Sequence, residues 1–179
     1  MIHAHSSAVI IPVPAAEPLV GDLRRELDPL ASRGVPPHIT LIVPFFTAPV
    51  PPDVVAELMQ MFGVLQSFQI EFRSIGRFQR TLFLTPSRTA EITALIESMV
   101  RRWPEYPPYG GIHDAIVPHL TVADDQDAAH FDALTAKLTP GLPLTTTITE
   151  ARLIESDERG FWHSRATLPF KATADNPIA

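Results

Sequence analysis

Apolar and polar positions along the 179-residue chain follow two periods, one near 3.6 and one of 2. Residues 8–13 (AVIIPV) form a short continuous apolar run and read as a first strand. Leu19, Leu23, Leu27 and Leu30 follow at near-helical spacing. Arg33-Gly34-Val35-Pro36-Pro37 stops that helix and forces an extended entry into HITLIVPF, a second strand. Pro51-Pro52-Asp53 opens another helix, with Val55, Leu58, Phe62 and Leu65 on one stripe. In FQIEFRSIGRF the period becomes two: Phe68, Ile70 and Phe72 share one face, Gln69, Glu71 and Arg73 the other. TLFLT (81–85) predicts the next strand. The spacing of Ile92, Leu95, Ile96, Met99 and Val100 predicts a helix over 88–102. A loop containing Pro104, Pro107, Pro108, Gly110 and Gly111 leads to a strand near 117–123, and Asp127 caps a short helix carrying Phe131, Leu134 and Leu138. Strands near 144–155 and 161–169 complete the pattern, with a loose tail over 172–179.

The order β-α-β-α-β-β-α-β-α-β-β indicates an α+β fold and excludes a doubly wound parallel sheet. No Gly-rich phosphate loop follows any strand, which removes the dinucleotide-binding and P-loop readings. The chain has no cysteine, so a disulfide framework, a zinc ribbon, an iron–sulfur cluster and a cysteine nucleophile are all excluded. A net charge of −6 disfavours a protein that coats long nucleic acid, while leaving room for a local phosphate pocket. The 19 prolines have no collagen-like or PxxP period and act as loop and strand-edge punctuation. The first residues lack a basic signal-peptide start, and no run approaches 18 uninterrupted apolar residues. A cytoplasmic protein without membrane partners is therefore expected.

One internal echo carries chemistry. Pro37-His38-Ile39-Thr40-Leu41 returns as Pro118-His119-Leu120-Thr121-Val122, 81 residues later. In an extended chain, positions i and i+2 share a face. His38 and Thr40 therefore point one way and Ile39 and Leu41 the other; His119 and Thr121 repeat this against Leu120 and Val122. The aliphatic faces belong under helices, and the His/Thr faces are left for a groove. Two imidazoles titrating near 6.5 can stand one neutral and one protonated. That pair suits phosphodiester hydrolysis: one ring takes a proton from water while the other delivers one to the departing alkoxide. Two hydroxyls can donate to the nonbridging oxygens as charge develops. A lone strand histidine is more often structural, but two identically framed pairs count against that reading. H-x-T supplies only one good metal ligand per strand, so no metal and no other cofactor is expected.

These residues resemble the two H-x-[ST]-aliphatic motifs of the two-histidine (2H) phosphoesterase superfamily. PPHITLIVPF and VPHLTVA resemble its bacterial branch of 2′-5′ RNA ligase-like proteins and cyclic nucleotide phosphodiesterases. The resemblance implies one bilobal domain over residues 1–171, with two antiparallel sheets facing a central groove and helices outside. It implies metal-independent hydrolysis of 2′,3′-cyclic phosphates or 2′-5′ phosphodiesters of RNA ends or small nucleotides. His38 and His119 would be the acid/base pair, with Thr40 and Thr121 holding phosphate. His38 is expected as the acid and His119 as the base when the 3′ oxygen leaves. The alternatives are a binding module without turnover, or an RNA ligase running the same chemistry in reverse. A monomer is expected in each case.

Further candidates surround the motifs. On the last strand, Phe161, His163 and Arg165 share a face opposite Trp162, Ala166 and Leu168; with Trp162 in the core, Phe161 could stack on a base and Arg165 approach the phosphate. Phe83 could be a second stacking platform, and Tyr109 and His113 could line an entrance. Six arginines within 73–102 could receive an RNA end, against the simpler reading of a solvated face.

Overall fold

In the computed structural model, residues 5–112 and 116–172 are described. The chain order is β1 (Ser7–Pro12), α1 (Glu17–Leu27), β2 (His38–Ile42), α2 (Pro52–Gly63), β3 (Phe68–Arg77), β4 (Thr81–Pro86), α3 (Thr89–Arg102), β5 (Leu120–Asp124), α4 (Ala128–Leu138), β6 (Leu144–Ile148), β7 (Glu150–Ser156) and β8 (Trp162–Pro169). The strands form two antiparallel four-stranded sheets, ordered β2-β1-β7-β8 and β5-β4-β3-β6. The fold is α+β, as the pattern predicts.

Local chemistry accounts for most boundaries. Pro52 begins α2 at a position whose N–H has no intrahelical partner anyway, and the Asp127 carboxylate accepts from the His130 amide at 2.8 Å to cap α4. β2 ends at Ile42, two residues before Pro44, which has no N–H for a ladder. A difference lies at 144–155, where the pattern predicts one strand. The chain instead changes sheets at Thr149: β6 pairs with β3, and β7 pairs with β1 and β8. Alternation cannot reveal this, because both halves are extended and only their partners differ.

A continuous core joins the sheets. Ile39 and Leu41 of β2, Leu120 and Val122 of β5, Leu58 and Phe62 of α2, and Ile92, Ile96 and Met99 of α3 belong to one buried cluster. α1 packs on β5 and α3 on β2, so each of these helices leans on the sheet that does not contain the strand just before it. The motif strands β2 and β5 are edge strands of their own sheets and lie beside each other. With their aliphatic faces in the core, both His/Thr faces remain for the space between the sheets. A smaller apolar cluster of Ala8, Ile10, Val35 and Ile154, joined by Leu30, Val43 and Trp162, floors that space on the first sheet.

A bulge settles the face assignment on β8. Leu153 pairs with Ala166 but the next residue, Ile154, pairs with Ser164, so Arg165 is the extra residue. Trp162 consequently packs with Ile154 in the smaller cluster, while Ala166 and Leu168 pack in the main core. The shared face expected for Trp162, Ala166 and Leu168 is thereby corrected.

Candidate active site

His38 opens β2 and His119 immediately precedes β5, each after a proline that holds the backbone extended. Each ring turns back on its own chain in the same way. His38 Nδ1 lies 2.8 Å from the carbonyl oxygen of Pro36, and His119 Nδ1 lies 2.7 Å from that of Val117. A carbonyl only accepts, so both Nδ1 atoms carry a proton and donate it. In the neutral rings Nε2 is left with the lone pair, the tautomer an acid/base catalyst requires.

Both motif pairs line one cavity of about 550 Å³, bounded by Asp28, Leu30, His38, Thr40, Val43, Phe78, Thr81, Tyr109, Val117, His119, Thr121 and Asp124. That volume falls within the range of small-molecule sites. Among the described residues no group of three or more His, Asp or Glu side chains is arranged to hold a metal ion.

The two histidines have different surroundings. Behind His38 lies a buried ion pair: Arg24 donates to Asp28 Oδ2 at 2.7 and 3.1 Å and reaches the Val35 carbonyl, with both side chains 2% exposed. Burial and then the Arg24 charge depress His38 to about 4, against weaker opposing effects of the Pro36 carbonyl and Asp28. His119 sits among rings, with Phe78 edge-on at 5.1 Å, Phe83 at 5.2 Å and Tyr109 roughly parallel at 6.4 Å. Among the described residues Asp124, whose carboxyl is raised by burial and is hydrogen-bonded to Thr81, interacts electrostatically with His119.

Tyr109 reaches the cavity from the loop before β5. Its amide donates to the Val43 carbonyl at 2.6 Å, and its phenol, raised by burial, is hydrogen-bonded to Thr40. It does so at φ +54°, a conformation costly for a residue with a Cβ.

His38, Thr40, His119, Thr121 and Tyr109 thus meet around one volume. Phe83 touches His119, but at 5% exposure it has no free face for a base; it backs the imidazole instead. Gly76 makes room for it, since a Cβ there would come within 2.3 Å of the Phe83 ring. Phe161, His163 and Arg165 are not among the cavity's lining residues. Phe161 lies against Arg159, His163 is 3.4 Å from Asp157, and Arg165 is 3.7 Å from Glu155. The six arginines of 73–102 all stand in ion pairs, with Glu71, Asp132, Asp125, Glu91, Glu97 and Glu57, and none lines the cavity. His113 lies outside the described residues.

Three contributors escape the sequence reading. Phe78, 42% exposed at the β3–β4 turn, is the open aromatic of the rim. Its position at the end of an alternating strand next to Arg80-Thr81 was the available signal. Arg24 with Asp28 forms an i, i+4 pair in a helix otherwise read only for leucines, and nothing local marks it as buried. Asp124 directly follows the second motif, where only its place opposite Thr81 on β4 gives it a role.

Comparison with known proteins agrees with this geometry. Residues 11–160 match the family model of the 2′-5′ RNA ligase superfamily. A Bacillus cereus (strain G9842) protein named as a phosphoesterase is 32% identical over 136 residues, covering 70% of this chain and 73% of that one. A similarly named Bacillus cytotoxicus protein is 30% identical over 169 residues, covering 89% and 92%. Among solved structures, a Thermus thermophilus protein superposes with a TM-score of 0.64 at 16% identity over 94% of this chain and all of its own. E. coli LigT, crystallised with 3′-AMP, superposes at 0.59 with 18% identity over 94% and 99%. At such identities the structural matches speak for the fold alone, but the family match spans most of the chain and both of its histidine motifs. The chain is therefore a member of the 2′-5′ RNA ligase superfamily of two-histidine phosphoesterases.

Proposed function

We propose that the chain hydrolyses 2′,3′-cyclic phosphates or 2′-5′ phosphodiesters of small nucleotides or RNA ends by two-histidine acid/base catalysis. The observation that carries this reading is the convergence of His38, Thr40, His119 and Thr121 on one cavity, both rings pinned through Nδ1. A phosphate between the strands would have an imidazole on either side and a hydroxyl from each motif. The Tyr109 phenol is hydrogen-bonded to Thr40 and so holds that hydroxyl in place at the cavity wall.

Electrostatics favour His38 as base and His119 as acid, the reverse of the expectation drawn from sequence. Burial and Arg24 keep His38 neutral, with Nε2 open to accept a proton from water. A bound phosphate anion would raise its basicity toward the working range. Asp124 beside His119 favours the imidazolium, which can protonate the departing ribose oxygen. Water adds to phosphorus, the P–O bond to that oxygen breaks, and each histidine ends in the other's starting protonation state. The exposed ring of Phe78 offers a base a stacking surface.

The test is turnover of 2′,3′-cyclic nucleotides in EDTA by the wild type, His38→Ala and His119→Ala. Each substitution should cost about 10²–10⁴-fold. Activity that the chelator abolishes, or that survives both substitutions, rejects the mechanism.

A further inference from the structure

The cavity has a charge balance unusual for a place where phosphate is held. Among the described residues its ionisable walls are Asp28, His38, Tyr109, His119 and Asp124. None of the chain's 14 lysines and arginines lines it, and the residues outside the described set (1–4, 113–115 and 173–179) contain neither type. Arg24 approaches from behind His38, but it does not line the cavity, and its Nε and both terminal nitrogens donate to Asp28 and the Val35 carbonyl. Asp28 is in turn balanced by Arg24 and by the Leu30 amide.

Asp124 is different. Its hydrogen-bond partner is the neutral Thr81 hydroxyl, and no ion pair with Lys or Arg involves it among the described residues. The charges acting on it are Asp28 across the cavity, its neighbour Asp125, which Arg80 already pairs, and the His119 ring. Among the described residues lining the cavity, a histidine imidazolium is thus the one source of positive charge for both a carboxylate and a bound phosphate.

Resting on the phosphodiesterase reading, we propose that Asp124 sets the charge selectivity of the site: it admits phosphodiesters carrying a single negative charge and rejects phosphomonoesters carrying two. The chemistry makes this useful. A cyclic or linear diester is a monoanion, and its hydrolysis leaves a monoester whose second ionisation lies near pH 6. Above that pH the product gains a second charge while the two histidines together still carry a single proton charge, which the threonine hydroxyls cannot make up beside a carboxylate. The same residue that favours the His119 imidazolium then expels the product, and it excludes nucleotides bearing a free terminal phosphate at the bond-breaking position.

The test uses two probes differing by one charge on a shared scaffold: 2′-deoxyadenosine 3′-methyl phosphate and 2′-deoxyadenosine 3′-phosphate. Both are titrated calorimetrically into the full chain and into Asp124→Asn and Asp124→Ser, which differ in the size of the neutral replacement. At about pH 7.5 the wild type should bind the diester about tenfold more tightly than the monoester, and either variant should reduce that ratio to about threefold or less. At about pH 5, where the monoester carries one charge, the wild-type ratio should fall in the same way. Because a ratio is read, a change in His119 protonation that alters both affinities equally does not imitate the effect. A wild-type ratio near one, or a ratio unchanged in both variants, overturns the charge proposal and leaves the proposed reaction standing. Binding of neither probe overturns the proposal together with the reading beneath it.

Discussion

His38 and His119 occupy the same local frame and different surroundings. Each follows a proline, each donates Nδ1–H to the carbonyl two residues back, and each has a threonine two residues on. Yet His38 has a buried arginine behind it, whereas His119 stands among three aromatic rings and near a carboxylate. A repeated pentapeptide therefore reproduces the orientation of a side chain but not its electrostatic surroundings. Orientation arises within three residues; protonation depends on charges and desolvation from α1, the β3–β4 turn and the end of β5. Burial and Arg24 lower the titration of His38, and a pair of like groups with differing environments is what acid/base chemistry needs.

The comparison can be broken most severely at Arg24. Arg24→Met removes the cation behind His38 and leaves Asp28 buried without its partner, which should destabilise the protein by about 3–5 kcal/mol in urea unfolding. Adding Asp28→Leu should recover much of that loss, since the uncompensated charge goes with it. If Arg24→Met alone is neutral, the pair does not carry the first half-site.

A pH titration examines the same asymmetry without mutation. His38 stays neutral in the folded protein down to about 4, whereas an unfolded histidine takes up a proton near 6.5. The unfolded state thus binds more protons between those values, and stability should decline as pH falls through that window, by at most about 3 kcal/mol. His38→Gln should flatten this decline, and NMR of the imidazole carbons should show one ring that does not titrate above pH 5 or so. Two histidines titrating together near 6.5 would remove the asymmetry.

Gly76→Ala probes the other half-site. The new methyl would press on the Phe83 ring, and through it on His119, costing about 1–3 kcal/mol by overpacking. Turnover should fall while the His38 titration stays in place; displacement of both rings' resonances would mean that the half-sites are mechanically coupled.

The sequence reading succeeded where the physical signal was local. The Asp127 cap, the Pro52 helix start, the alternating β3 and the core face of Ile39, Leu41, Leu120 and Val122 all depend on residues within a turn or a strand of one another. It failed where pairing decided the outcome. Residues 144–155 look like one strand until Thr149 carries the chain between sheets, and β8 looks evenly alternating until the bulge at Arg165 turns Trp162 away from Ala166. Phe83 and Phe78 show the same limit: both are aromatics near the same hairpin, and only packing around Gly76 buries the first and leaves the second open.

By itself the amino-acid order determined the α+β class, the two histidine–threonine faces and the direction each presents relative to its own aliphatic face. These follow from the period-two geometry of an extended chain and from the proline before each histidine. The tertiary structure alone decided that the two edge strands adjoin, that Arg24 stands behind one imidazole and Asp124 beside the other, and that the cavity between them holds no lysine or arginine. Charges and apolar surfaces act through space, so their effect on a titrating group depends on which distant segments the fold brings beside it.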